Sequence, residues 1–201
     1  MMDASPARRG PGLRELTRRA VRTQIAETAM ELFIAQGFEA TTVDQIAAAA
    51  GISARSVFRY FPTKEDMVVG LLDDIGDKLA STLEARPTDE PPWEALRHAM
   101  DAHLTDLTQD ATNKIATALM LADTPSLRGA LLAKRARWED ALVPNITRRL
   151  KGPTARRALP ARAIVAAALA CLNNAVDEWA RTGGTKTPDK LLDIAIAAVR
   201  T

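Results

Sequence analysis

Apolar residues recur along this chain at three- and four-residue steps and nowhere alternate for long with polar ones, so the pattern predicts helices almost throughout. The first periodic segment runs from about Thr17 to Gln36. There Val21, Ile25, Ala29, Leu32 and Phe33 share one face, and Gly37 ends it. Two short helices follow. Thr41 and Thr42 offer an N-cap for Val43 to Ala50, Gly51-Ile52-Ser53 makes a turn, and Ala54 to Tyr60 forms the next helix. Pro62 disfavours helical geometry at Phe61, and Thr63 caps another helix that runs to about Ala85. Arg86-Pro87-Thr88-Asp89-Glu90-Pro91-Pro92 reads as an interior linker. Beyond it, helices are predicted over Trp93 to Thr108, Thr112 to Ala122, Ser126 to Lys151, Ala155 to Thr182 and Pro188 to Arg200. The expected fold class is all-α. A flexible basic arm over residues 1–16 precedes a three-helix, helix-turn-helix domain over 17–65 and a larger helical domain over 66–201.

Composition narrows the picture. Of 201 residues, 47% are hydrophobic and 26% charged, the balance of a chain that packs a core. The net charge of +2 is compatible with a polyanionic partner without demanding one. The longest uninterrupted apolar run, Ala163 to Leu172, falls far short of the roughly 20 residues that cross a bilayer. The opening residues carry Arg8, Arg9 and Arg14 among prolines and glycines and lack the apolar core of a secretory signal, so the expectation is a cytoplasmic protein with no membrane partner. A lone cysteine, Cys171, allows neither an intramolecular disulfide nor a cysteine-based zinc site. His98 and His103 are the only histidines, and no serine or cysteine has a histidine at a recognisable spacing. No metal, cofactor or enzyme activity is expected.

The short central helices carry the chemistry. Ala47 is small where a second helix must approach, Gly51 can take the positive backbone angle of a tight turn, and Val57 returns to the shared core. Ile46, Ala50, Ile52 and Tyr60 complete the inward positions, which leaves Arg55, Ser56 and Arg59 on the outer face. Eight residues from Ser53 rise about 12 Å, comparable with the width of the DNA major groove. Arginine there can donate two bonds to guanine, and a serine hydroxyl can reach a base edge or phosphate. Thr42 at a helix N-terminus and Lys64 are candidate phosphate contacts.

These residues also carry a resemblance. Thr41-Thr42-Val43-Asp44-Gln45-Ile46-Ala47, then Gly51-Ile52-Ser53, then Val57-Phe58-Arg59-Tyr60-Phe61-Pro62-Thr63-Lys64-Glu65 resembles the DNA-binding domain of the tetracycline-repressor (TetR) family over roughly residues 17–65. The resemblance implies a homodimeric, ligand-responsive transcriptional regulator, usually a repressor, bound to double-stranded operator DNA and released by a small-molecule inducer. Carried over by position, it implies phosphate contacts from Thr42, Ser53, Phe58 and Lys64, and base or backbone contacts from Arg55, Ser56, Arg59 and Tyr60. The family often has tyrosine where this chain has Phe58, and lysine or glutamine where it has Ala54.

The C-terminal half has no comparable motif. Met100, Leu104, Leu107, Ile115, Leu119, Met120, Leu131, Trp138 and Leu142 could line an apolar cavity, with His103 or Asn113 as a polar handle, or could simply form the core. Ala163 to Trp179 is apolar around much of its circumference. Together with Leu191, Leu192, Ile194, Ala195, Ala198 and Val199 it is the expected dimer contact. Arg-Tyr-Phe-Pro-Thr-Lys-Glu-Asp and Asp-Glu-Trp-Ala-Arg-Thr-Gly-Gly are similar to an actinobacterial branch of the family that implies an acyl-CoA-like inducer. The alternative is a small helical ligand carrier or enzyme in which the first three helices are only a packing unit.

Overall fold

The periodic segments fold as α-helices joined by short loops, with no strand among the described residues, 12–200 of a computed structural model. The chain divides into two compact units, Met1–Val68 and Val69–Thr201.

The first unit holds α1 (Leu13–Gln36), α2 (Val43–Ala49) and α3 (Ala54–Tyr60), followed by α4 (Glu65–Val69), which runs to the boundary. α1 starts four residues before the expected Thr17, so residues 13–16, expected in the arm, are helical. Leu13, Arg14, Glu15 and Leu16 are all good helix formers, and the Gly12 carbonyl accepts from the Glu15 and Leu16 amides at 2.8 and 3.1 Å. Arg8 and Arg9 lie outside the described residues. Ile25, Ala29, Phe33, Phe38, Ile46, Val57 and Phe61 are buried, with the Phe33 and Phe38 rings 4.9 Å apart.

The second unit contains α5 (Asp73–Ala85), α6 (Pro92–Ala99), α7 (Asp101–Gln109), α8 (Ala111–Asp123), α9 (Pro125–Arg149), α10 (Ala158–Arg181) and α11 (Pro188–Val199). Its hub is α10, which packs on α6, α8, α9 and α11. By length and composition alone α10 could cross a bilayer, its best window having a mean hydropathy of 1.5, which the ten-residue run understates. Its inward face, Ala161, Val165, Ala168, Leu172, Ala175 and Trp179, is instead buried in this core.

Two predicted helices are broken. The expected single helix from Thr63 to Ala85 is interrupted by a 3-10 turn at Gly70–Leu72, where glycine weakens helical continuity. The expected helix from Trp93 to Thr108 divides at Met100, whose amide is shared between the Leu96 and Arg97 carbonyls at 3.2 Å each. Elsewhere the ends agree to within three residues of expectation.

Polar side chains fix the end of α5. The Arg149 guanidinium donates to the carbonyls of Leu83 (2.8 Å), Arg86 (3.2 Å) and Pro87, while its Nε donates to Asn145. Leu83 lies in the last turn of α5, and Arg86 and Pro87 directly follow that helix. Asn145, itself buried, donates to Glu84 at 2.7 Å.

Candidate nucleic-acid interface

The turn between α2 and α3 follows from Gly51, which sits at φ +68°, a conformation that costs other residues roughly 1–2 kcal/mol. The Ile52 amide then donates to the Ala47 carbonyl at 3.0 Å, folding the chain back so that Ala47 and Val57 are both buried. Each helix is capped. Thr42 and Gln45 form a reciprocal capping box on α2, in which the Thr42 hydroxyl accepts from the Gln45 amide at 3.2 Å and the Gln45 side chain accepts from the Thr42 amide at 2.8 Å. Ser53 caps α3, its hydroxyl accepting from the Ser56 amide at 3.2 Å and lying 3.0 Å from the Ser56 hydroxyl.

The expected DNA-contacting residues therefore divide into two groups. Arg55, Phe58 and Arg59 are exposed on α3, Phe58 by 52%, with no hydrogen bond from these side chains among the described residues. Arg59 lies over the Tyr60 ring at 5.3 Å, and Tyr60 is half-buried. Thr42, Ser53 and Ser56 use their hydroxyls on the helix ends. Lys64 turns inward: its Nζ donates to the carbonyls of Phe38 (2.7 Å) and Thr41 (3.1 Å) and sits 4.2 Å from the Phe38 ring centroid. Two of its three protons thus serve the fold. α3 is therefore a short, capped rod with two guanidinium groups and one aromatic ring facing outward, a surface that can donate paired bonds to guanine or phosphate.

In the second unit, Met100, Leu104 and Trp138 are buried, and Met120 and His103 are half-buried. Asn113 does not join them. It is exposed and donates to Asp110 at 2.9 Å, because its place in the first turn of α8 directs it to the helix end. Burial pushes the His103 imidazole down to about 4, against a smaller upward pull from Asp106. Since the unfolded imidazole takes its proton near 6.5, this stability is complete above pH 6.5 and is lost as pH falls toward 4, at up to about 1.4 kcal/mol per pH unit. Urea titrations at pH 7 and pH 5 are expected to show that loss, and His103→Gln to flatten it.

Lys134 is a structural residue absent from the sequence-based expectations. It is buried in α9, its Nζ donating to the Val69 carbonyl at 2.5 Å and to the Asp73 carboxylate, so it spans the 3-10 turn that interrupts the expected long helix. The signal was its position between Leu127 and Trp138 on the buried stripe of α9, where a core residue belongs. Lys134→Met leaves the Val69 carbonyl without its donor and is expected to lower stability by about 1–3 kcal/mol in urea unfolding. An open groove of about 490 Å³ lies elsewhere, between α6 and α11, with Trp93, Arg97, His98 and Ile196 among its walls. None of the expected ligand-binding residues lines it.

Sequence comparison matches residues 25–71 to bacterial regulatory proteins of the TetR family and residues 90–201 to the MftR C-terminal domain. The transcriptional regulator TcmR of Streptomyces glaucescens is 35% identical over 146 residues, 70% of this chain and 65% of that protein. The chain spans just under two thirds of the length of these curated relatives. Among solved structures, NalD, the secondary repressor of the MexAB-OprM multidrug efflux pump in Pseudomonas aeruginosa, superposes with a TM-score of 0.60 at 21% identity, covering 90% of this chain and 96% of that one. FadR of Bacillus subtilis in complex with stearoyl-CoA superposes with a TM-score of 0.60 at 19% identity, covering 87% and 95%. These likenesses are of fold. With family models matched in both units, the second over more than half of the sequence, the chain belongs to the TetR family of bacterial regulatory proteins.

Proposed function

We propose that this chain is a cytoplasmic transcriptional repressor that binds an inverted-repeat operator as a homodimer and leaves it when a small-molecule inducer fills the second unit. The observation that carries the reading is the outward face of α3, where Arg55 and Arg59 stand exposed on a helix whose start, turn and core are all locally fixed. Those two arginines read bases or phosphates. Phe58 packs on sugar or a thymine methyl, Tyr60 and Ser56 border the contact, and the caps Thr42 and Ser53 place helix N-termini toward the backbone. Lys64 reaches a phosphate only with the proton its two carbonyls leave over.

The dimer contact belongs to α10 and α11. Leu159 is 79%, Ile194 60% and Val199 52% exposed, and Ala163, Ala170 and Ala198 are exposed beside them, an apolar surface that a second copy would cover. Two α3 helices placed about 34–36 Å apart then meet successive major grooves. The inducer is an acyl-CoA-like molecule whose chain enters among Met100, Leu104, Met120 and Trp138, with His103 as the polar contact. Support for this class comes from the fold neighbours, two of which are FadR proteins holding lauroyl-CoA and stearoyl-CoA. Release requires that inducer bind the non-operator state more tightly, and the turn at Gly70–Leu72 gives the chain joining the two units a place to bend.

The test is retention of fragmented chromosomal DNA by the purified protein, followed by sequencing of the retained fragments and challenge with acyl-CoA thioesters of graded length. A shared inverted repeat, released by one thioester class, is expected. Retention without a shared sequence would overturn the operator reading, and retention indifferent to every thioester would overturn the inducer class.

A further inference from the structure

The first two turns of α1 are exposed. Every residue from Gly12 to Ala20 is exposed, Leu13 by 81% and Leu16 by 50%, and the first buried residue is Ile25. Between Leu13 and Arg22, four arginines stand against the single acid Glu15, a local charge of +3 in a protein whose net charge is +2. Arg14, Arg18 and Arg22 follow one another at four-residue steps, so they form a row along one face about 12 Å long.

One contact shows where that row begins. The Arg22 guanidinium lies 5.0 Å from the centroid of the Phe61 ring, and Phe61 directly follows the last residue of α3. Arg18 and Arg14 therefore stand one and two turns farther along α1, leading away from the C-terminal end of the helix that carries Arg55 and Arg59. A short helical segment has little stability of its own, so these exposed turns persist as a continuation of the packed half of α1. Four arginines on about 15 Å of helix match a polyanion. Duplex DNA carries one negative charge per roughly 1.7 Å of its axis, and the guanidinium fork suits phosphate.

We propose that the Arg14–Arg18–Arg22 row is a second DNA-binding element, gripping the sugar-phosphate backbone next to the half-site that α3 occupies. This rests on the operator reading above. The row supplies affinity and salt dependence, and sequence preference stays with α3.

The test compares wild-type protein, Arg14→Ala/Arg18→Ala and Arg14→Lys/Arg18→Lys on the retained operator duplex extended by ten base pairs at each side, across a series of salt concentrations. The alanine pair, fully exposed, is expected to keep the unfolding midpoint of the wild type. It should weaken operator and random duplex alike by about tenfold or more, and make the log affinity against log salt slope shallower by about 0.9 per lost phosphate contact. The lysine pair should keep the slope. An alanine pair with wild-type slope and affinity would overturn the proposal while leaving the operator reading intact. A wild-type protein that binds neither duplex would overturn both.

Discussion

Replacing Arg55 and Arg59 together by alanine is expected to cost about 2–6 kcal/mol in operator affinity, taking each as a base contact worth about 1–3 kcal/mol. The unfolding midpoint should not move with it. Both side chains are exposed, and Arg59 stacks on Tyr60, a contact worth no more than about 1 kcal/mol at an exposed site. Random-sequence DNA should lose much less than the operator, because non-specific binding depends on total charge. Lys64→Ala separates itself from this pair. Its ammonium holds the Phe38 and Thr41 carbonyls, so removing it should lower stability by about 1–3 kcal/mol as well as DNA affinity. Fluorescence anisotropy on operator and random duplexes, beside urea unfolding of each variant, resolves the two behaviours.

The second large effect lies in the second unit. A methyl group on Gly76 would sit 2.2 Å from Cδ1 and 2.6 Å from Nε1 of the Trp138 indole, distances that no relaxed structure tolerates. α5 and α9 approach so closely there because glycine leaves the ring its place. Gly76→Ala must push the indole out of its site, and overpacking of this kind costs about 1–3 kcal/mol against a small gain in helix propensity. Trp138 is nearly buried in the same core as Met100 and Leu104, so the displaced ring also reshapes the region proposed to hold an acyl chain. Loss of thioester response together with a lowered unfolding midpoint and altered tryptophan fluorescence is the expected outcome. A variant as stable as wild type with unchanged fluorescence would show that the two helices separate readily.

Much of the first unit was legible in the sequence because its constraints are local. Gly51, the caps Thr42 and Ser53, and the Ala47–Val57 pair each impose their geometry within a few residues, so spacing alone gives the turn and the outward face of α3. Lys64 was not legible as an inward residue. Its partners are carbonyls 23 and 26 positions away, and a charged side chain read alone defaults to the surface. The same limit hid Lys134 and Gly76, whose partners lie 61 to 65 residues distant. Periodicity also ran through the breaks at Gly70–Leu72 and Met100, since a single turn of altered pitch barely disturbs an apolar stripe. In the second unit, the buried placement of Met100, Leu104 and Trp138 followed from the 3.6-residue pattern. Asn113 shared the pattern and not the burial, because a residue in the first turn of a helix can bond the helix end.

In the proposed function, the outward face of α3 reads DNA from two copies of the chain at once. Selection of bound sequences from a random duplex pool, run in parallel with wild-type protein and Arg55→Ala at near-physiological salt, tests it most directly. An inverted-repeat consensus is expected for the wild type and, for the variant, the same repeat with one position in each half-site relaxed. Folded, dimeric wild-type protein that enriches no sequence, or a variant that enriches the identical consensus with equal strength, would contradict it.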